Sequence, residues 1–181
     1  MLSPRRRRRP RRARTSGVSV LPDILRPGLG VVFCGTAAGT ASARAGAYYA
    51  GPGNRFWEIL FETGLTPRRL EPGEFPEVID YGIGLTDVVK TVSGSDASLP
   101  ARAFDPDRLR RRMLELEPSA LAFNGKRSAK SFFDTANVDY GRQSERLGSS
   151  TVFVLPSTSG AARGFWEPGY WHELAAFVRG A

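Results

Sequence analysis

The chain has 181 residues, 41% of them hydrophobic, which suits one medium domain with a real core. Its single cysteine, Cys34, excludes an internal disulfide and a four-cysteine zinc or iron–sulfur site, so a reducing, cytoplasmic setting is expected, nucleoid-associated in a prokaryote. The net charge is +8, no apolar run approaches the ~20 residues of a membrane helix, and no apolar core follows the N-terminal charges as a secretory signal requires.

That charge is unevenly placed. Arg5 to Arg9, Arg11, Arg12 and Arg14 stand together in RRRRRPRRAR, and without them 18 basic residues face 18 acidic ones. Residues 1–17 are therefore predicted to be a disordered basic arm ahead of a neutral domain over 18–181. Such an arm adds salt-dependent, sequence-independent affinity for a polyanion. An unconstrained extension, or an upstream start codon, explains it equally well.

From the arm onward, short apolar runs alternate with helical patterns. Val31–Cys34 (VVFC) is a buried strand, followed by the loop GTAAG. Asn54–Glu62 is a helix, with Phe56, Trp57, Leu60 and Phe61 spaced for one face and Asn54 as its N-cap. Tyr81–Leu85 is a second strand. Asp105–Glu117 is a helix whose Asp105–Pro106 pair suits an N-cap and first turn. Ala120–Phe123 is a third strand, Ser128–Phe133 a helix, Val152–Leu155 a fourth strand, and Tyr170–Val178 a closing helix.

This order predicts a single α/β domain: a central four-stranded parallel sheet with helices on both faces. In such sheets a ligand lies outside the carboxyl ends of the strands. Four segments converge there: Gly35–Asn54, Thr86–Lys90, Asn124–Lys126 and Pro156–Arg163. The first is not a nucleotide loop. No Gly-Lys-Ser/Thr appears, and GTAAG leads into SARAGAYYAGPGN, not directly into a helix as a dinucleotide fingerprint requires.

The segments YYAGPGNRFWEIL, DYGIGLTDVVKTV, AFNGK and LPSTSG, in this order, resemble the mismatch-specific uracil/thymine DNA glycosylase family of the uracil-DNA glycosylase superfamily. The resemblance runs from about Val31 to Val178. It implies excision of uracil, with thymine and other damaged bases as further substrates, from double-stranded DNA carrying G:U or G:T mismatches. Single-stranded DNA is a further candidate. The nucleotide is flipped into a pocket and water replaces the base at the sugar. The resemblance implies a monomer with no cofactor and no metal. It also implies monofunctional chemistry, since Lys90 and Lys126, the lysines near the crevice, match no known role in the family.

Many relatives carry GINPG in the first motif, whose Asn positions the attacking water. Here Ala37 stands there, within a base pocket expected from Gly35, Thr36, Ala37, Tyr49 and Asn124. Asp87, directly after the second strand, is the candidate catalytic group. It can stabilise positive charge on the sugar and hold water, or accept N3–H of uracil or thymine or N1–H of hypoxanthine. A turn-capping role is also open. Catalysis is favoured because Ala37 leaves that role vacant.

Tyr49 matches the aromatic position that stacks on the flipped base, while Tyr48 suits core or pocket wall and Trp57 suits core. Asn124 is expected to brace the pocket loops. Lys126, at a helix start, is a candidate for a backbone phosphate, as are Ser157 and Ser159. Gly160 to Arg163 are expected to enter the minor groove, with Arg163 touching the orphaned partner base. His172 is expected to be structural or on the surface. Two alternatives stand beside this: a hypoxanthine-type glycosylase and a non-catalytic damaged-DNA-binding module.

Overall fold

The structure, a computed structural model, describes residues 18–180; the arm expected over 1–17 lies outside them. A five-stranded sheet runs through the molecule in the order β2-β1-β3-β5-β4. The strands are β1 (Val31–Gly35), β2 (Ile83–Asp87), β3 (Ala120–Asn124), β4 (Gly141–Leu147) and β5 (Ser150–Leu155). β1, β2, β3 and β5 are parallel, as the alternation predicts. The expected count of four strands is corrected to five, because β4 pairs antiparallel with β5 at the sheet's edge. Its sequence, GRQSERL, lacks apolar alternation and is largely exposed, with a register shift between Arg142 and Arg146. Charges on an edge strand discourage pairing with another chain, and they also hide it from a search for apolar runs.

The helices are α1 (Thr40–Ala45), α2 (Phe56–Glu62), α3 (Pro106–Leu116), α4 (Lys126–Phe133) and α5 (Gly169–Arg179). α1 interrupts the segment expected to be loop. Its sequence TASARA offers no apolar face, and Gly46 closes it at φ 63°. α3 starts as expected, with the Asp105 carboxylate accepting from the Arg108 N–H at 3.0 Å. α2 starts two residues later than expected, and Asn54 Oδ1 accepts from the Phe56 N–H at 3.0 Å.

Side chains alternate between the two faces of a strand. Val31, Phe33, Ile83, Leu85, Ala120, Ala122 and Phe153 therefore share one core, covered by α2 and α5. Val32, Cys34, Leu121, Phe123, Val152 and Val154 share the other, covered by α3 and α4. The same parity decides the site. Gly35, Asp87 and Asn124 end their strands in step with Phe33, Leu85 and Ala122, so they belong to the first face. That face holds the aromatic group Tyr48, Tyr49, Phe56 and Trp171. Tyr49 and Phe56 stack with centroids 3.9 Å apart, and Phe33 and Trp171 with centroids 5.5 Å apart. Each such pair adds about 1 kcal/mol beyond its burial.

The chain ahead of β1 lies along the free edge of β2. Ile24 and Leu85 exchange two backbone hydrogen bonds of 2.9 Å. This places Asp23 beside Thr86, whose hydroxyl donates to Asp23 Oδ1 at 2.7 Å.

Candidate active site

Parallel pairing sets Gly35 opposite Asp87 at the ends of β1 and β2. The missing side chain matters here: a Cβ on Gly35 would lie 2.5 Å from Asp87 Oδ1 and 3.4 Å from Tyr49 Oη. Asp87 therefore leans over the β1 backbone with 3% of its surface exposed. Thr36 is buried behind it, its carbonyl accepting from the Val89 N–H at 2.8 Å, while Ala37 is half-buried at the turn into α1.

Three charged groups surround Asp87. Lys90 Nζ lies 2.8 Å from Asp23 Oδ1 and donates to the Tyr48 hydroxyl at 3.0 Å. Arg108 lies 3.0 Å from Asp23 Oδ2 and donates to the backbone carbonyl of Asp87 at 2.7 Å. The hydrogen bonds these cations make go to Asp23, Tyr48 and a main-chain oxygen. No described side chain or backbone group hydrogen-bonds the Asp87 carboxylate itself. Burial pushes the Asp87 carboxyl up to about 7; Lys90 and Arg108 pull it down, and Asp23 pushes it up. A group poised near neutrality can take a proton during a reaction.

Tyr49 approaches from the opposite side. Its backbone sits at φ 54°, uncommon for a residue with a side chain. Its hydroxyl is one of three buried side-chain polar atoms without a hydrogen-bond partner among the described residues; Arg108 Nε is another. Burial and then the Asp87 charge hold that hydroxyl protonated, while the Asn124 amide, facing it as a hydrogen-bond donor, favours the ionised form; the approach falls short of a formed hydrogen bond. The Asn124 amide makes its hydrogen bonds elsewhere: it donates to Thr158 Oγ1 at 2.9 Å and accepts from the Thr158 N–H at 3.0 Å. Asn124 thus ties the end of β3 to the loop after β5. Thr158, buried between the two serines, is a brace that the sequence did not single out.

The two crevice loops pack on each other. The Arg55 N–H donates to the Thr158 carbonyl at 2.9 Å, and a side chain on Gly160 would meet the Pro52 carbonyl at 2.8 Å. A side chain on Gly53 would collide with the Arg163 guanidinium. Ser157 and Ser159 point their hydroxyls at backbone N–H groups of Ser159 and Ala161. Lys126 opens α4 but sets its ammonium 4.3 Å over the Tyr140 ring. His172 is exposed on α5, Trp57 is core, and Tyr48 is buried with its hydroxyl donating to the Pro22 carbonyl. The 3-10 turn Gly160–Phe165 carries a second feature missed in sequence: Phe165 is 76% exposed two residues after Arg163.

A hollow of about 200 Å³ opens beside this crevice, bounded by Tyr49, Gly53, Asn54, Trp57 and Glu71. A larger one, about 570 Å³, lies along α4 between Phe104, Arg127 and Asp134. Asp87 lines neither. Tyr49 connects the smaller hollow to the carboxylate, with its hydroxyl on the Gly35 side.

A sequence model described as the uracil DNA glycosylase superfamily matches residues 22–177. A similar solved structure is the solution NMR structure of a Methanosarcina acetivorans protein described, provisionally, as a uracil DNA glycosylase. It superposes with a TM-score of 0.59 at 20% identity, covering 88% of this chain and 95% of that one. At that identity the likeness shows the shared fold.

Proposed function

We propose, for a chain that belongs to the uracil DNA glycosylase superfamily, a monofunctional DNA glycosylase that excises uracil from G:U mismatched duplex. Thymine and other damaged bases are further substrates. The observation that carries this reading is the Asp87 carboxylate: buried at the strand ends, beside Tyr49, and free of protein hydrogen bonds.

The chemistry follows from that placement. The C1′–N bond breaks with its electron pair leaving on the base, and positive charge develops on the sugar. An ionised carboxylate nearby stabilises that charge. It also accepts a proton from the water whose oxygen bonds to C1′, leaving an abasic site. Asp87 so takes over the task that Ala37, a methyl group, cannot perform. Asp87 is 3% exposed and lines neither hollow, so admission of a flipped base requires the crevice around Tyr49 to open.

The DNA-facing groups support the same reading. Arg163 is exposed on the rim, and Phe165 beside it offers an apolar group for the gap that flipping leaves. Ser157 and Ser159, on the same loop, and Lys126, at the start of α4, suit backbone phosphates. The arginine-rich arm would add a further, salt-sensitive tether.

The test is base release from duplexes each carrying uracil or thymine opposite guanine, ethenocytosine, or hypoxanthine. Uracil release, with strand breakage only after alkali, supports the proposal. Release of hypoxanthine alone would favour the purine-type alternative. Binding without release of any base would favour a non-catalytic module.

A further inference from the structure

We propose that the Tyr49 hydroxyl is a catalytic group, holding the attacking water jointly with Asp87. This rests on the glycosylase reading and deepens it. The geometry points to it through a buried hydroxyl without a partner and a carboxylate, 3% exposed, that meet at one spot. Tyr49 Oη has no partner among the described residues, and the Asp87 carboxyl feels burial and neighbouring charges but no hydrogen bond from them. Both converge on the side-chain direction of Gly35, at 3.4 and 2.5 Å from where a Cβ would sit. They are therefore within about two hydrogen-bond lengths of each other, the span that one water bridges.

Native proteins rarely leave a buried hydroxyl unpaired without a reason, since doing so forfeits the hydrogen bonds that water gave it. The rest of the residue is tightly fixed. The ring stacks on Phe56 at 3.9 Å, and the backbone is held at φ 54°. Asn124 gives one amide N–H and its oxygen to Thr158, and its second N–H faces the Tyr49 hydroxyl without forming a hydrogen bond. Nothing in the packing requires the oxygen, since a phenylalanine ring would make the same stack.

Two fixed acceptors define a water completely. One O–H points at Asp87 and the other at Tyr49 Oη, which leaves the lone pairs to face C1′. As the C1′–O bond forms, the proton passes to the Asp87 carboxylate, and the electron pair of the C1′–N bond leaves on the base. Tyr49 keeps its own proton throughout. The pair reproduces with a carboxylate and a phenol the water-positioning that an amide at Ala37 would supply.

Tyr49→Phe tests this, measured beside the parent and Tyr49→Ala. The readouts are single-turnover uracil release, binding to a duplex with an uncleavable 2′-fluoro-deoxyuridine, and thermal melting. We expect Tyr49→Phe to lose about tenfold or more in release, bind the fluorinated duplex as the parent does, and melt at the same temperature or higher. Tyr49→Ala should lose both release and binding. Release by Tyr49→Phe within about twofold of an active parent would overturn the proposal, and so would equal losses in binding and release, which would put the hydroxyl on the base. A parent that releases no base would instead sink the glycosylase reading.

Discussion

Gly35 and Asp87 are partners across the β1–β2 pair, and the carboxylate of one occupies the space that a side chain on the other would need. Strand pairing fixes the relationship rather than loop conformation, which gives the acid a rigid seat. Gly35→Ala should therefore displace Asp87 Oδ1 from a point 2.5 Å away. The expected result is a loss of uracil release of about tenfold or more, with a stability cost of about 1–3 kcal/mol. Parallel release assays and melting curves check both numbers.

The Asp87 carboxyl, pushed up to about 7 by burial, sets a pH dependence. If the ionised form acts, kcat/KM climbs with pH and levels off above about 7. Stability moves the other way. The unfolded chain sheds this proton near 3.8, whereas the folded protein keeps it to about 7, so stability falls as pH rises through that window and is flat above it. Asp87→Asn removes the effect. Above neutral pH it should be more stable than the parent, by at most about 4 kcal/mol, while being far less active. Denaturant titrations of both proteins across pH read this directly.

Asp23 holds both cations that border Asp87, at 2.8 Å from Lys90 and 3.0 Å from Arg108. Removing its charge leaves two partly desolvated cations whose fields act on Asp87. Asp23→Asn should cost about 1–3 kcal/mol, discounted for its partial exposure. It should also shift the acid limb of the pH–rate profile downward, because the negative charge that raises the Asp87 carboxyl is gone and the two positive charges that lower it remain. A profile that stays in place would detach Asp23 from the site.

Phe165 is 76% exposed and contributes little to the core. Phe165→Ala should leave melting unchanged within about 0.5 kcal/mol. It should slow uracil release from duplex DNA and spare single-stranded DNA, which has no stack to open. Equal effects on both substrates would remove Phe165 from the flipping step.

Much of the fold was legible because burial leaves a local trace. VVFC and LAF are apolar runs of strand length, and the parallel order follows from their alternation with helices. Asp87 was findable because it ends such a run. β4 was not, since an edge strand satisfies its exposed face with charge, and GRQSERL reads as loop. α1 was missed for a related reason: TASARA is a short helix of small residues with no apolar stripe. The Asp23–Lys90–Arg108 group was invisible in sequence. Asp23 is 63 residues from Thr86 and 85 from Arg108, and only the edge pairing of Ile24 with Leu85 unites them. The orphaned Tyr49 hydroxyl is likewise a property of three-dimensional packing. Tyrosine at that position reads as an aromatic surface, and its oxygen stands out only once its surroundings are known.

The most direct measurement is single-turnover release of uracil from a G:U duplex by the parent and by Asp87→Asn, with duplex binding followed alongside. A loss of about a hundredfold or more in release, with binding retained, is the expected result. Equal release rates for the two proteins would contradict a carboxylate-driven excision at the ends of β1 and β2.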